Sequence, residues 1–328
     1  MNVVVLGSGA WGTALSMLLC RAGHQVTLWN RDPEKAEKME RKRSNPRLPG
    51  ASLPRELKIR ASLEPLAEAE LTVFAVPSYA VRETARLVRP ALKPGTLLVS
   101  AAKGVEPETC LRMTQVIRSE LGEGFPLTAL SGPSHAEEVA LRMPTGCVAA
   151  GEEEEAAQRV QEAFTTGDFR VYTSTDPTGV ELCGAVKNVI ALGCGVADGL
   201  GYGDNSRALL ITRAVREAGE LVLRAGGSAW TCAGLAGVGD LIVTCTSRHS
   251  RNRKAGLLLG QGLEVRDALE QVGAVVEGYY AADSVRTLSE RLGVSMPICS
   301  CVYDMLYGGF PAQRCLERLM GRPTKREF

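Results

Sequence analysis

Asn2-Val3-Val4-Val5-Leu6-Gly7-Ser8-Gly9-Ala10-Trp11-Gly12-Thr13-Ala14-Leu15-Ser16-Met17-Leu18-Leu19 decides the fold. A short apolar run leads without a break into Gly-x-Gly-x-x-Gly, and a small, apolar stretch follows and ends near Gly23. The order predicts strand, glycine turn, helix. Gly7 permits the tight turn, Gly9 lets backbone approach a pyrophosphate, and Gly12 lets the helix lie close to the strand. Free N–H groups and a partial positive charge at the helix start then favour phosphate. The glycine spacing alone is a weak signal; the strand before it and the helix after it are the context it requires. A second strand, residues 25–29, ends at Asn30-Arg31-Asp32, about twenty residues on, where the ribose of a dinucleotide is expected.

Working outward, short apolar runs at 71–76, 96–100, 127–130, 145–150 and 169–173 have the length and composition of strands buried in a parallel sheet. Helix-prone stretches at 33–43, 79–88 and 152–164 fall between them, and 45–54, with Pro46, Pro49 and Pro54, reads as a loop. This alternation predicts a doubly wound α/β sheet with ligands beyond the carboxyl ends of its strands, at Lys103 and at the turn 131–136. The pattern changes at Asp176-Pro177, an N-cap followed by proline at the first helical position. Beyond it the sequence is mostly helical. In 206–223, Ile211, Val215, Ala218 and Val222 share one face, Arg207, Arg213, Arg216, Glu217 and Glu220 largely occupy the rest, and Gly226-Gly227 is the stop. The expected architecture is an N-terminal Rossmann-type doubly wound sheet over 1–176 and a second, all-α domain over 177–328.

A length of 328 residues suits two ordinary domains. The net charge of +1 gives no general attraction to nucleic acid or to an anionic membrane, so any basic site must be local. The apolar stretch 3–20 lacks a basic leader and contains the glycine turn, so it is not read as a targeting segment. No other stretch is expected to span a membrane. The ten cysteines are scattered, with no Cys-x-x-Cys; the nearest pair is Cys299-Ser300-Cys301. Reduced, mostly buried thiols in a cytoplasm follow. His24, His135 and His249 lie far apart in sequence, and no metal site is expected.

Three stretches of the second half are too unusual for scaffold. In Gly184-Ala185-Val186-Lys187-Asn188-Val189-Ile190-Ala191, Lys187 lies on a largely apolar helix with Gly184 and Ala191 on its own stripe. It either snorkels out or is an ammonium held in a pocket beneath small residues, where burial makes it a usable general acid or base. Asn188 can orient it or bind substrate. In Gly234-Leu235-Ala236-Gly237-Val238-Gly239-Asp240, the aspartate caps the following helix, pairs with Lys187, or does both. The third stretch runs Thr244-Cys245-Thr246-Ser247-Arg248-His249-Ser250-Arg251-Asn252-Arg253-Lys254. It is a basic, hydroxyl-rich helix start, suited to a small phosphate or else a solvated face. Without interleaved aromatics it does not suit nucleic acid.

Together with 7–12, 131–136 and Val275-Val276-Glu277-Gly278-Tyr279, these stretches resemble the NAD(P)-dependent glycerol-3-phosphate dehydrogenases of the bacterial type. The resemblance runs from the first strand to about Gly321 and rests on G-A-V-K-N-V-I-A, G-x-G-D-L-x-x-T-C and S-R-N-R. It implies reversible reduction of dihydroxyacetone phosphate to sn-glycerol 3-phosphate, feeding phospholipid synthesis. By resemblance, Lys187 is the catalytic proton donor, assisted by Lys103 and Asp240. Gly132, Ser134, Asn188, Ser250, Arg251 and Asn252 then complete the substrate group with those three. Gly7, Gly9, Ala10, Trp11, Gly12, Arg31, Lys103, Ala136, Arg251, Val275 and Glu277 match cofactor-contacting positions. Arg31 can face a 2′-phosphate, which favours NADPH with NADH tolerated, whereas Asp32 next to it favours NADH. A cytoplasmic homodimer without integral membrane association is expected.

Two other readings compete. A hydroxy-acid reductase would keep this architecture and change the substrate; the Ser250-Arg251-Asn252 phosphate site argues against it. A non-catalytic dinucleotide sensor needs no proton donor, and Lys103, Lys187 and Asp240 together disfavour it.

Overall fold

The computed structural model describes every residue except Lys325 and Phe328. The chain divides into one compact unit of Met1–Glu106 with Leu111–Glu181, and a second of Pro107–Cys110 with Leu182–Phe328.

The first unit is built on eight strands: β1 (Asn2–Leu6), β2 (Gln25–Trp29), β3 (Lys58–Arg60), β4 (Leu71–Phe74), β5 (Leu97–Ser100), β6 (Leu127–Ser131), β7 (Thr145–Gly151) and β8 (Phe169–Ser174). Their order in the sheet is 3-2-1-4-5-6-7-8. Register is set around β1, where Val5 lies opposite Leu28 on one side and Val73 on the other. The strands up to β6 are parallel, β7 is antiparallel to β6, and β8 is parallel to β7. The helices are α1 (Ala10–Arg21), α2 (Pro33–Lys42), α3 (Val81–Val88), α4 (Met113–Leu121), α5 (Ala136–Ala140) and α6 (Glu154–Phe164).

Alternation along β1 explains its unbroken apolarity. Val3 and Val5 join a core with Leu15, Leu18 and Leu19 of α1, while Val4 and Leu6 join Val81, Ala85 and Val88 of α3 on the opposite face. The β3 strand escaped sequence reading because it is three residues long, with lysine and arginine flanking its one apolar residue on an exposed edge. β7 reverses after a connection whose one helix, α5, has five residues, shorter than α1, α2, α3, α4 or α6.

The second unit contains most of α7 (Pro177–Gly199), then α8 (Asp204–Arg224), α9 (Asp240–Thr246), α10 (Arg251–Gly260), α11 (Val265–Val272), α12 (Glu277–Arg291), α13 (Pro297–Tyr307) and α14 (Ala312–Met320). Asp176 Oδ1 accepts the Gly179 N–H at 2.8 Å, so the expected cap of α7 forms. Contrary to the expectation that no stretch past residue 20 could span a membrane, α7 is long and apolar enough to do so. Its most apolar window is 94% buried inside the protein, which makes it the central core helix.

Two glycine pairs hold α10 against α7. A Cβ on Gly195 would lie 2.1 Å from Arg253 O, and one on Gly256 would lie 2.0 Å from Leu192 O. Gly199 and Gly260 meet in the same way one turn further on. The two backbones touch, as only glycine permits.

The α8 helix corrects the expected buried stripe. Ala214, Glu217, Ala218, Leu221 and Val222 are buried, whereas Ile211 and Val215 are only half-buried. Glu217, expected off the apolar face, points inward because α13 presents its first N–H groups there. Its carboxylate accepts from Ile298 N at 2.9 Å and Cys299 N at 3.4 Å. Burial pushes the carboxyl up from 4.5 to about 7, against those backbone donors. The helix stops as expected, with Gly226 at φ +85° and Gly227 N–H donating to Val222 O at 2.9 Å.

Candidate active site

In the first unit the glycine turn sits at the end of β1, between β2 and β4, where strand order reverses. Such a switch point opens a crevice at the carboxyl ends of the strands. Gly7 has φ +108°, and a Cβ there would lie 2.8 Å from Ala75 O. A Cβ on Gly12 would lie 2.0 Å from Gly7 O, so the turn closes only without one. Gly9 differs: nothing lies within 4 Å of its would-be Cβ, and it is the N-cap of α1 with no side-chain cap. Ala10 and Trp11 open the helix, and the buried Trp11 indole N–H has no partner among the described residues. Open space over uncapped helix N–H groups fits a pyrophosphate.

Asn45, in the proline loop, steadies this turn. Its Nδ2 donates to Ser8 O at 3.0 Å and to Thr13 Oγ1 at 2.7 Å. No motif or periodicity marks Asn45 in the sequence; the contact spans a loop that only folding closes.

At the end of β2, Arg31 is exposed. Asp32 is engaged locally: Oδ1 accepts from Lys35 N at 3.1 Å and Oδ2 pairs with Lys35 Nζ at 2.7 Å. The Lys35 side chain, followed by its backbone N–H, holds the Asp32 carboxyl below its ordinary range. Beyond β5, Lys103 Nζ donates to Gly132 O at 3.0 Å and Ser134 Oγ at 3.4 Å. Gly132 takes φ +144°, and a Cβ there would lie 2.9 Å from the Cys147 Cα. Lys103 and the 131–136 turn are thus one cluster. Ala136 opens α5 behind it and is buried.

In the second unit Lys187 projects from the middle of α7 and is 8% exposed. Its Nζ lies 2.5 Å from Asp240 Oδ1 and 3.0 Å from Thr244 Oγ1. Of the two readings of Lys187, the enclosed ammonium is the one the fold adopts. Asp240, 1% exposed, opens α9 directly after a π-helical turn, Leu235–Gly239. That turn presses Gly237 against Cys232, whose O would lie 2.1 Å from a Cβ. Gly239 is the N-cap of α9, and Asp240, its first residue, pairs with Lys187. Thr244 is a participant that sequence reading passed over. It stands one turn after Asp240, so the i,i+4 spacing was the available signal. Its hydroxyl donates to Asp240 O at 2.6 Å and so presents a lone pair to the ammonium.

The glycine crossing of α7 and α10 places Asn252 on Asn188, Nδ2 to Oδ1, at 2.8 Å. Asn252 Oδ1 accepts the Gly278 N–H at 2.9 Å, which fixes the start of α12 beside Val275 and Glu277. Ser250 caps α10 through Arg253 N at 3.2 Å. Within the basic segment, Arg253 is neutralised by Asp198 at 2.7 Å. Arg251 is exposed, and its side chain forms no hydrogen bond or ion pair among the described residues.

A dinucleotide cradle on a doubly wound sheet, with a separate helical unit enclosing a lysine–carboxylate pair, is the layout of a Rossmann-type dehydrogenase. More particularly, the chain belongs to the NAD-dependent glycerol-3-phosphate dehydrogenase family, whose N-terminus and C-terminus models match residues 2–157 and 176–317. It is 47% identical over 328 residues to a glycerol-3-phosphate dehydrogenase [NAD(P)+] of Desulfitobacterium hafniense, covering 100% of this chain and 93% of that one. It is 48% identical over 329 residues to the protein so named in Moorella thermoacetica, covering 99% and 97%. The crystal structure of glycerol-3-phosphate dehydrogenase from Coxiella burnetii superposes with a TM-score of 0.94 at 37% identity, covering 98% of each chain.

Proposed function

We propose that this protein reduces dihydroxyacetone phosphate to sn-glycerol 3-phosphate with NADH or NADPH, reversibly, and so supplies glycerophospholipid synthesis. The observation that carries the reading is the enclosed Lys187 ammonium, fixed by Asp240 and Thr244 within a chain of this family. A nicotinamide cofactor, when bound, supplies the hydride. The open space at Gly9 and the uncapped start of α1 bind its pyrophosphate.

Lys187 holds a proton on Nζ and delivers it to the substrate C2 oxygen in reduction, then recovers it in oxidation. Asp240 keeps the ammonium oriented and charged through that cycle. Lys103, anchored on Gly132 O and Ser134 Oγ, contributes positive charge to the developing alkoxide. Arg251 with the Ser250–Asn252 helix start takes the phosphate; its exposed guanidinium and the helix N-terminus both suit an anion. Asn188 is a positioning residue, held by Asn252.

NADPH is the better of the two cofactors on this reading. Asp32 is engaged as the cap of α2, which leaves the exposed Arg31 to meet a 2′-phosphate. The working form is a cytoplasmic homodimer without integral membrane association; burial of α7 within its own fold supports the last of these.

The test is absorbance at the reduced-nicotinamide band with dihydroxyacetone phosphate, NADPH and NADH run side by side. Oxidation that requires the phosphorylated ketone is expected. Binding of both cofactors without turnover would return the hydroxy-acid reductase and the sensor. Arg31→Ala should raise KM for NADPH and leave KM for NADH unchanged; equal changes in both would remove Arg31 from cofactor choice.

A further inference from the structure

We infer that Cys301 and Cys315 form a peroxide-responsive dithiol, with Cys301 as the attacking sulfur and Cys315 resolving it to a disulfide across the corner between α13 and α14. Each thiol reaches the other residue's backbone carbonyl: Cys315 Sγ donates to Cys301 O at 3.5 Å, and Cys301 Sγ to Cys315 O at 3.8 Å. The Arg318 guanidinium donates to Cys301 Sγ from Nη2 at 3.0 Å and from Nε at 3.3 Å. That guanidinium is itself fixed, paired with Asp304 at 2.7 Å and stacked 4.8 Å from the Phe310 ring centroid.

Access is the second requirement, and Cys301 is only 3% exposed. It nevertheless lines a cavity of about 440 Å³ together with Arg286, Arg318 and Arg322. On its other side it shares a cavity of about 50 Å³ with Cys315. The 440 Å³ space, lined in part by polar groups, has room for several waters and so admits hydrogen peroxide.

The charges around the sulfur agree with the geometry. The Cys315 thiol, and then the Arg318 guanidinium, bring the Cys301 thiol from 9.0 down to about 6, while burial and Asp304 oppose them. Arg286 faces the same cavity but is engaged by Glu290 at 2.5 Å. Cys315 is pushed up by its bond to Cys301 and by burial, as suits a resolving thiol that stays protonated until used. Cys299, two residues earlier on α13, is fully buried against Glu217 and pushed well up, so the nearest cysteine in sequence is not the partner.

The chemistry balances in two steps. The Cys301 thiolate attacks one peroxide oxygen, forming S–O and breaking O–O; sulfur is oxidised, and hydroxide leaves to become water on taking a solvent proton. Cys315 then gives up its proton and attacks the Cys301 sulfenic acid. S–S forms, S–O breaks, and the departing hydroxide leaves as water. A dithiol reductant reverses the linkage.

The experiment treats the intact protein with hydrogen peroxide, blocks residual thiols and maps linkages by peptide mass spectrometry. A Cys301–Cys315 peptide is expected first, and Cys315→Ser should leave a sulfenic acid on Cys301 that dimedone traps. Arg318→Gln should slow the reaction on the order of tenfold at neutral pH, as the thiolate fraction falls. In the unaltered protein the rate should rise through about pH 6 and level off, a readout independent of whether that variant folds. Earlier oxidation at Cys183–Cys232, whose sulfurs are 3.2 Å apart, would overturn the proposal. So would a rate still climbing near pH 8.5.

Discussion

Asn252 donates to Asn188 Oδ1 at 2.8 Å across the crossing of α10 and α7, and its own Oδ1 receives the Gly278 N–H at 2.9 Å. One buried amide therefore joins three helices. It can do so because a Cβ on Gly278 would lie 2.5 Å from Asn188 O, and the residue there has none.

Asn252→Ala removes the donor to Asn188 Oδ1 and the acceptor of the buried Gly278 N–H. A hydrogen bond lost in this way from a buried group costs about 1–3 kcal/mol. The variant should unfold at clearly lower denaturant than the parent. An unchanged midpoint in urea would mean that water or a shifted side chain replaces the amide.

Lys187→Met should retain cofactor binding and lose about 10²–10⁴-fold in turnover, the range for a general acid. It should also lose stability, because the Asp240 carboxylate, at 1% exposure, loses the Lys187 ammonium that pairs with it. The double variant Lys187→Met, Asp240→Asn should recover stability and no activity. Denaturant melts beside steady-state rates separate the two effects; full turnover in the single variant would exclude Lys187 as the proton donor.

Gly12→Ala and Gly9→Ala should diverge. A Cβ at Gly12 meets backbone oxygen at 2.0 Å, so the turn must open, at more than the roughly 1–3 kcal/mol of ordinary overpacking. At Gly9 the Cβ enters empty space, so the protein should fold normally but bind nicotinamide dinucleotides more weakly. Calorimetric titration of Gly9→Ala with NADPH checks the second half; wild-type affinity would show that backbone does not approach a ligand there.

Glu217 gives stability a pH dependence of known sign. Its folded pKa of about 7 exceeds the ordinary 4.5, so the native state holds the proton more tightly than the unfolded chain. The resulting stabilisation is complete below pH 4.5 and is lost as pH rises through about 7. The difference corresponds to about 3 kcal/mol at 1.4 kcal/mol per unit. Glu217→Gln has no proton to lose, so its stability relative to the parent should improve over that window. Parallel melts at several pH values test this, and curves that track each other would place the carboxylate in contact with solvent.

Several features were legible in the sequence because their causes are local. The glycine turn, the apolar runs of β1, β4, β5 and β6, the cap at Asp176 and the stop at Gly226 each follow from residues within a few positions of one another. Lys187 and Asp240 were legible as odd residues for their surroundings, a polar group on an apolar helix and an acid after a glycine run. Tertiary structure decided what each polar group touches. It paired Lys187 with Asp240 and Thr244, turned Glu217 inward to meet α13, and set Cys301 beside Cys315 rather than Cys299. The physical reason is that backbone conformation and burial pattern are governed by near neighbours along the chain. The partner of a buried polar group is chosen by packing, as at Asn188 and Asn252, where glycines let α7 and α10 come into backbone contact from about sixty residues apart.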